Sequence, residues 1–303
     1  MRVALVLLSK ALLAASELPT VVEGESNALT LRRLIFRTHD PYANLTLRPY
    51  SADNGAGGAG GSSFSNLYEQ LIKELSPTLV IEVGVHRGSS TIKFAQLLSE
   101  QRGKASGGAV LAVDTWLGAT DWWGDGRAYL SGPHVDERRK QVLLKGKLPH
   151  AMTDLLWVNG RPSIYQDFLS NVVQAGVQER VVPFPLPSRQ AARFLMERGI
   201  QADLIHMDGS HEYEEVVDDL QHWWPLVRPG GVLLGDDYRF PDVKRAFGEM
   251  VHREGLRIDS KINRTWPSKV AVRKPHTEGS WPSKVAVRKP HTEGFLSRLI
   301  RLG

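Results

Sequence analysis

The chain contains no cysteine among its 303 residues. Disulfide bonds, thiolate metal ligands and a cysteine nucleophile are therefore excluded. A long apolar run is lacking at the amino terminus as well, where the hydrophobic stretch of Met1 to Ser16 is too short to span a bilayer. This stretch predicts either a targeting presequence or a helix of the folded protein. We expect membrane association only through this segment.

Charge of one sign dominates only in parts of the chain. The 38 lysines and arginines exceed the 33 acids, and the net charge is +5. The excess lies mainly in residues 32–48, 138–147 and the C-terminal segment, whereas the centre of the chain is acidic. We therefore expect no nucleic-acid partner. The hydrophobic content of 42% supports a sizeable core in a chain of this length.

A glycine-rich stretch and a repeat mark the expected boundaries. Residues 54–63 read NGAGGAGGSS, which predicts a flexible linker between an N-terminal extension, 1–53, and a globular domain, 64–275. The sequence WPSKVAVRKPHTEG at 266–279 recurs unchanged at 281–294, so residues 276–303 hold a duplicated segment and a basic tail. Only one copy can fill the last strand position of a sheet, and we expect the other to be an exposed extension.

The sequence VIEVGVHRGSST at 80–91 predicts a buried strand, a glycine turn and a helix start. Gly84 and Gly88 lie four residues apart, and the backbone N–H groups and hydroxyls at the helix start, Ser90 included, can hold a carboxylate or phosphate. The spacing differs from the dinucleotide fingerprint G-x-G-x-x-G. The alternative is that the glycines merely allow a tight turn between strand and helix.

The next predicted strand, Ala109 to Val113, ends in Asp114. An acid at this position can take both hydroxyls of a cofactor ribose, and the alternative is that it caps the following turn. Residues 117–150 follow, with Trp122, Trp123 and a basic run, and this segment is too long for a plain connection. We expect it to cover the substrate; the alternative is a mobile loop whose tryptophans pack locally.

Residues 203–238, DLIHMDGSHEYEEVVDDLQHWWPLVRPGGVLLGDDY, predict two buried parallel strands joined by an amphipathic helix. One strand ends in Asp208 and the other in Asp236 and Asp237. Ligands bind beyond the carboxyl ends of strands in an open parallel sheet, so these three carboxylates should converge. A hard divalent cation, such as magnesium, manganese or calcium, would relieve their repulsion. The alternative is that they are turn acids.

His211 stands at the predicted start of the helix that follows Asp208. A histidine can accept a proton near neutral pH, which makes it a candidate general base. The alternative is that His211 or Ser210 caps the helix.

Four segments together carry a resemblance to a known family: EVGVHRGSST, VDTWLGATDWW, DLIHMDGSHEYEEVVDDL and RPGGVLLGDDY. They resemble class I S-adenosylmethionine-dependent methyltransferases, and more narrowly the metal-dependent sugar O-methyltransferases of macrolide and aminocoumarin biosynthesis. The resemblance covers the chain from Phe64 to Pro275. It implies an α/β, Rossmann-like fold: a mostly parallel seven-stranded sheet with helices on both faces and an antiparallel last strand.

The resemblance also implies roles for individual residues. The methionine end of S-adenosylmethionine is expected at the glycine turn, the ribose at Asp114 and the adenine at Ser188. The predicted cofactor contacts are Glu82, Gly84, Gly88, Ser90, Asp114 and Ser188. The predicted metal ligands are Asp208, Asp236 and Asp237, with Mg²⁺ as the expected ion, and the predicted catalytic residues are His211 and Asp208. Some relatives have an acidic base at the position of Ser210 and others a histidine at that of His211; this chain fits the second pattern.

The expected activity is S-adenosylmethionine-dependent O-methylation of a sugar or another diol-containing small molecule. A metal site favours such an acceptor because two adjacent oxygens can chelate one ion. The expected partner is thus a small-molecule or glycan hydroxyl acceptor, and oligomeric state stays open. Two alternatives remain: a non-catalytic binding protein with a methyltransferase fold, and a hydroxylase-like enzyme on the same scaffold, because proteins assigned to antibiotic hydroxylation also resemble this family.

Overall fold

The computed structural model describes residues 26–50, 61–101, 107–118, 157–158 and 160–276. Within these residues one large sheet has six strands in the spatial order β3-β2-β1-β4-β5-β6. The first five strands along the chain are parallel, and β6 runs antiparallel to β5. The strands are β1 Leu79–Val83, β2 Ala109–Val113, β3 Val181–Phe184, β4 Ala202–Met207, β5 Val227–Gly235 and β6 Val270–Arg273.

Helices connect the strands and cover the sheet. In the described part of the chain they are α1 Asn27–Phe36, α2 Gly61–Leu75, α3 Ser89–Glu100, α4 Ile164–Gln174, α5 Ser188–Met196, α6 Tyr213–Trp223, α7 Pro241–Arg253 and α8 Ser260–Thr265. A 3₁₀ turn, Trp224–Leu226, follows α6, and a two-residue ladder pairs Trp157–Val158 with Arg161–Pro162. The predicted crossover helix between β4 and β5 is confirmed as α6, and its buried face carries Val216, Leu220 and Trp223.

The core has two layers because the strands are buried on both faces. Every residue of β1 is buried, and successive side chains of a strand point to opposite faces. Ile81 packs in the cluster that contains α1, α5, α6 and α7, and Val80 packs in the cluster that contains α2, α3 and α4. The predicted α/β, Rossmann-like architecture with helices on both faces is therefore confirmed.

The predicted number of strands is not met, because the described residues form six strands of the main sheet instead of seven. Residues 256–258, whose apolar pattern favours a further strand, form only a single antiparallel bridge between Ile258 and Val272. The next residue, Asp259, begins α8 as its N-cap, with its carboxylate accepting from the N–H groups of Lys261 and Ile262. This capping turns the chain into a helix before a second strand pair can form.

The described part of the predicted N-terminal extension, 26–50, is packed onto the domain. Ala28 and Leu31 of α1 are buried in the core. The hydroxyl of Tyr42 donates to the carbonyl oxygen of Val181 at 3.0 Å, which helps to cover the edge strand β3. Helix α2 begins at Gly61, so residues 61–63 of the predicted linker are helical.

Some sequence-based expectations fall on parts of the chain outside the described residues. They are the targeting segment at 1–16, the cover predicted at 117–150 beyond residue 118, and the second copy of the repeat at 281–294. The first copy supplies β6 and so fills the last strand position of the sheet, as expected for one copy of the repeat. Among the described helices, none combines the length and apolar character needed to cross a membrane.

Candidate active site

The carboxyl ends of the parallel strands place the predicted acids at one edge of the sheet. The N–H of Asp208 donates to the carbonyl oxygen of Val83 at 2.8 Å, and the N–H of Asp236 donates to that of Met207 at 2.9 Å. Each acid therefore directly follows its own strand and is held by the neighbouring one. In an open parallel sheet this edge is where ligands bind.

Four of the predicted site residues line one crevice at this edge: Asp208, Asp236, Asp237 and His211. We term these four residues the acidic crevice. Burial raises the pKa of Asp208 well above its usual range, and the charges of Asp236 and Asp237 add to the effect while Lys269 opposes it. The three carboxylates thus converge and repel one another, as the parallel topology predicts.

His211 is held between a carboxylate and an aromatic ring. Its Nε2 lies 2.8 Å from Oδ2 of Asp237, and its ring stacks on that of Phe240 with centroids 4.8 Å apart. Burial alone would raise the pKa of Asp237, but the hydrogen bond and charge of His211, together with Lys269, outweigh it and lower that pKa. The side chain of His211 keeps 43% of its surface exposed, so a substrate can reach it.

Asp236 has a lysine partner that the sequence analysis did not single out. Oδ2 of Asp236 accepts from Nζ of Lys269, whose residue is fully buried. The same Nζ donates to the hydroxyl of Tyr68 at 3.1 Å. The other oxygen of Asp236 accepts from the N–H of Asp237 at 2.7 Å. The carboxylate of Asp236 is therefore fixed through both oxygens.

Glu82 lies behind the acidic crevice as a fully buried carboxylate. It accepts hydrogen bonds from the hydroxyls of Ser90 and Thr91 at the start of α3, and Nδ1 of His206 lies 2.9 Å from its Oε1. Within the described ranges, the set of metal-capable donor atoms that all lie within 4.8 Å of one another belongs to Glu82, His206 and Asp208, rather than to the three predicted aspartates.

The glycine turn between β1 and α3 is built by close backbone contacts. Gly84 has φ +84°, and a Cβ on it would lie 2.1 Å from the carbonyl oxygen of Asp208. Gly88 has φ +86°, and a Cβ there would meet the ring of Phe168 at 2.7 Å. Both glycines are therefore required by the turn itself. Their contact with a cofactor stays a prediction.

Asp114 holds the same turn from the end of β2. Its Oδ2 accepts from the N–H groups of Val85 and His86 at 2.8 and 2.9 Å, and its Oδ1 accepts from that of Trp116 at 2.7 Å. A carboxylate offers about four acceptor positions, so about one is left for a ligand. The capping role is thus realised, and the ribose contact stays a prediction.

Ser188 begins α5, directly after the loop that follows β3. Its hydroxyl donates to Oδ1 of Asp219 and accepts from Nε1 of Trp223 at 2.7 Å. Burial raises the pKa of Asp219 to about 6, although the hydrogen bond from Ser188 opposes the shift. Asp219 also lines the acidic crevice. The adenine contact of Ser188 stays a prediction.

Sequence analysis missed several residues of this region: Tyr68, His206, Asp219 and Lys269. His206 could have been found, because it lies on β4 two residues before Asp208, and alternate residues of an extended chain point to the same side. Lys269 carries no such signal, since lysine is rarely fully buried and its partners are distant in the chain.

A family model described as a methyltransferase domain matches residues 81–238. The matched region contains the glycine turn, Asp114 and the whole acidic crevice. The chain belongs to this family and is a class I S-adenosylmethionine-dependent methyltransferase. No curated protein matches the chain.

Solved methyltransferase structures are similar at low sequence identity. The calicheamicin methyltransferase CalS11 has a TM-score of 0.48 and 17% identity, with 70% of this chain and 79% of that chain covered. The O-methyltransferase NovP has a TM-score of 0.45 and 18% identity, with 70% of this chain and 80% of that chain covered. An O-methyltransferase from Bacillus cereus in complex with SAH has a TM-score of 0.41 and 16% identity, with 70% of this chain and 81% of that chain covered.

Proposed function

We propose that this protein transfers the methyl group of S-adenosylmethionine to a hydroxyl of a sugar or another diol-containing small molecule, with Mg²⁺ in the acidic crevice and His211 as the general base. The observation that supports this proposal most is the pair of His211 and Asp237. A histidine oriented by a carboxylate, and reachable from solvent, is the usual arrangement of a general base.

The donor chemistry of the acidic crevice suits a hard divalent cation, although among the described residues it is the donor atoms of Glu82, His206 and Asp208 that lie within 4.8 Å of one another. Three carboxylates supply oxygen donors, which Mg²⁺ prefers. The repulsion that raises the pKa of Asp208 would be relieved by a cation held by Asp208, Asp236 and Asp237. Such a cation supplies a Lewis acid that makes a nearby hydroxyl easier to deprotonate. A vicinal diol suits this site because its two oxygens can bind one ion together.

The contact with Asp237 defines which nitrogen of His211 takes the proton. In the neutral ring, the hydrogen bond to Oδ2 of Asp237 places a proton on Nε2 and leaves Nδ1 as the acceptor. When Nδ1 takes the proton of the acceptor hydroxyl, the ring becomes a cation that Asp237 stabilises. Stacking on Phe240 limits rotation of the ring and keeps Nδ1 in place.

The cofactor supplies a methyl group on a sulfonium ion, and β1 and β2 carry the residues that would hold it. The acceptor position that Asp114 retains suits a ribose hydroxyl, because this residue is only partly buried. Glu82 fixes the start of α3, because its carboxylate accepts hydrogen bonds from the hydroxyls of Ser90 and Thr91. The glycine turn would hold the methionine end beside the acidic crevice, since Gly84 lies close to the backbone of Asp208.

Calorimetric titration of the full-length protein with S-adenosylhomocysteine, with and without Mg²⁺, tests the cofactor site. Micromolar affinity is the expected result. Transfer of labelled methyl from S-adenosylmethionine to a panel of glycosides, polyols and catechols then tests the acceptor class. Failure to bind S-adenosylhomocysteine would favour a non-catalytic binding protein, and an oxidised product in place of a methylated one would favour the hydroxylase-like alternative.

Variants of the acidic crevice test the mechanism. His211→Ala is expected to lower turnover by about 10² to 10⁴-fold, the usual contribution of a general base, while S-adenosylhomocysteine still binds. Asp237→Asn is expected to abolish both turnover and its response to Mg²⁺. His222→Ala is the matched control, because His222 lies on α6 with Asp218 as its partner. Near-normal turnover of His211→Ala, or wild-type activity that persists in chelator, would contradict the mechanism.

A further inference from the structure

Lys269 is a fully buried cation at the carboxyl edge of the sheet. Its backbone is fixed on both sides: its N–H donates to the carbonyl oxygen of Trp266 at 2.8 Å, and its own carbonyl oxygen accepts from Nδ2 of Asn263 at 3.0 Å. The side chain therefore starts from a rigid loop between α8 and β6 and reaches inward to the acidic crevice.

The ammonium of Lys269 joins the acidic crevice to the layer behind it. It pairs with Oδ2 of Asp236 and donates to the hydroxyl of Tyr68 at 3.1 Å. The ring of Tyr68 packs edge-on against that of His206, with centroids 5.5 Å apart, and His206 contacts Glu82. A displacement of Lys269 would disturb Asp236 and Tyr68 together.

A charge balance follows from these contacts. A buried ammonium is stable only when it is paired, and here its partner is one of the carboxylates that would bind a metal ion. The positive charge stabilises the crevice when no divalent cation is bound. The same charge repels a divalent cation at Asp236, and this repulsion is strong because the pair of Lys269 and Asp236 is largely shielded from water.

We propose that Lys269 is a positioning residue that keeps the acidic crevice ordered before a divalent cation binds and lowers the affinity of the crevice for that cation. The proposal rests on the metal site of the proposed function. It assigns a role to a residue outside the three carboxylates and the base. The pairing of Lys269 with Asp236 would also reduce the repulsion among the carboxylates before a cation binds, so that their arrangement is already defined.

The test compares four variants with the wild type in the full-length protein. Lys269→Met removes the charge and keeps the length of the side chain, Lys269→Gln removes the charge and keeps hydrogen bonding, and Lys269→Arg keeps the charge. Lys284→Met is the matched control, because Lys284 is the same residue in the second copy of the repeat, with identical flanking sequence. Each protein is titrated with Mn²⁺ by electron paramagnetic resonance and unfolded thermally in chelator and in Mn²⁺.

Lys269→Met is expected to bind Mn²⁺ at least about tenfold more tightly than the wild type, because a like charge has been removed from the site. In chelator it is expected to unfold at a lower temperature, and Mn²⁺ should restore most of the difference. Lys269→Gln should show a smaller gain in Mn²⁺ affinity and a smaller loss of melting temperature. It replaces Lys269→Met in the test if that variant does not fold. Lys269→Arg and Lys284→Met should resemble the wild type.

Equal or weaker Mn²⁺ binding by folded Lys269→Met and Lys269→Gln would overturn the proposal, as would the absence of Mn²⁺ binding in all proteins. Titration with S-adenosylhomocysteine on the same samples separates this outcome from failure of the proposed function. If the wild type binds no S-adenosylhomocysteine but Lys269→Met still binds Mn²⁺ more tightly, the methyl transfer is contradicted and the role of Lys269 stands.

Discussion

Replacement of Asp219 with asparagine is expected to stabilise the protein near neutral pH and to have little effect near pH 4. Asp219 lies on α6, where burial raises its pKa from 3.8 to about 6 against the opposing hydrogen bond from Ser188. Asparagine keeps an oxygen that can accept from Ser188, but it cannot ionise. The substitution therefore removes the cost of burying a charge and keeps the hydrogen bond.

The sign and size of the effect follow from proton linkage. An acid whose pKa is higher in the folded than in the unfolded state binds more protons when folded, so stability falls as the pH rises between the two values. For Asp219 the free energy of unfolding is highest below 3.8, falls through the interval up to about 6 and is then constant. Two pKa units correspond to about 3 kcal/mol.

Urea unfolding at about pH 4.5, 6 and 7.5 measures this effect as the difference between Asp219→Asn and the wild type. The difference should grow from about 1 kcal/mol at pH 4.5 to about 2–3 kcal/mol as the pH rises. Taking the difference cancels the contribution of other buried carboxyls such as Asp208. Asp218→Asn is the control, because the side chain of Asp218 is adjacent and 40% exposed. A difference that does not change with pH, or a less stable variant at pH 7.5, would refute the reasoning.

Three further predictions concern the fold. Gly84→Ala should lower the free energy of unfolding by more than about 2 kcal/mol, because its Cβ would lie 2.1 Å from the carbonyl oxygen of Asp208; Gly199→Ala, at φ +64° with no atom within 4 Å, should lose only about 1 kcal/mol in the same urea assay. Asp259→Ala should lose about 1–2 kcal/mol at pH 7 through its helix cap. The pKa of Asp259 is lowered, chiefly by hydrogen bonds that outweigh its burial, so this loss should shrink as the pH falls below 3.8. Deletion of residues 280–294 should leave the melting temperature and S-adenosylhomocysteine binding unchanged, because the first copy supplies β6; a clear loss of either would show that the second copy is needed.

Local patterns in the sequence were sufficient to predict the parallel part of the sheet. The apolar run of β2 was predicted with the bounds that the structure has, and α6 was predicted from apolar spacing between two buried strands. Because parallel strands share one carboxyl edge, the convergence of Asp208 with Asp236 follows from the strand order alone. For this reason most of the residues proposed for the site could be predicted from the sequence.

The features that the sequence did not predict depend on contacts between distant parts of the chain. Lys269 meets Tyr68 across 201 positions of sequence, through the packing of α2 beside the antiparallel strand β6. No local pattern encodes such a contact. Helix α1 was not predicted because its buried face is narrow, with Ala28 and Leu31 as the buried residues.

The three aspartates of the acidic crevice differ in how their charge is balanced. Asp237 is paired with His211, and Asp236 is paired with Lys269. Within the described part of the chain, Asp208 has no ion-pair partner, and it is the one whose pKa burial and its neighbours raise. The partners of Asp236 and Asp237 thus leave the deficit of positive charge at Asp208, next to the glycine turn. Under the proposed function, a divalent cation held by Asp208, Asp236 and Asp237 would offset this deficit, and His211 would take the proton of the acceptor hydroxyl.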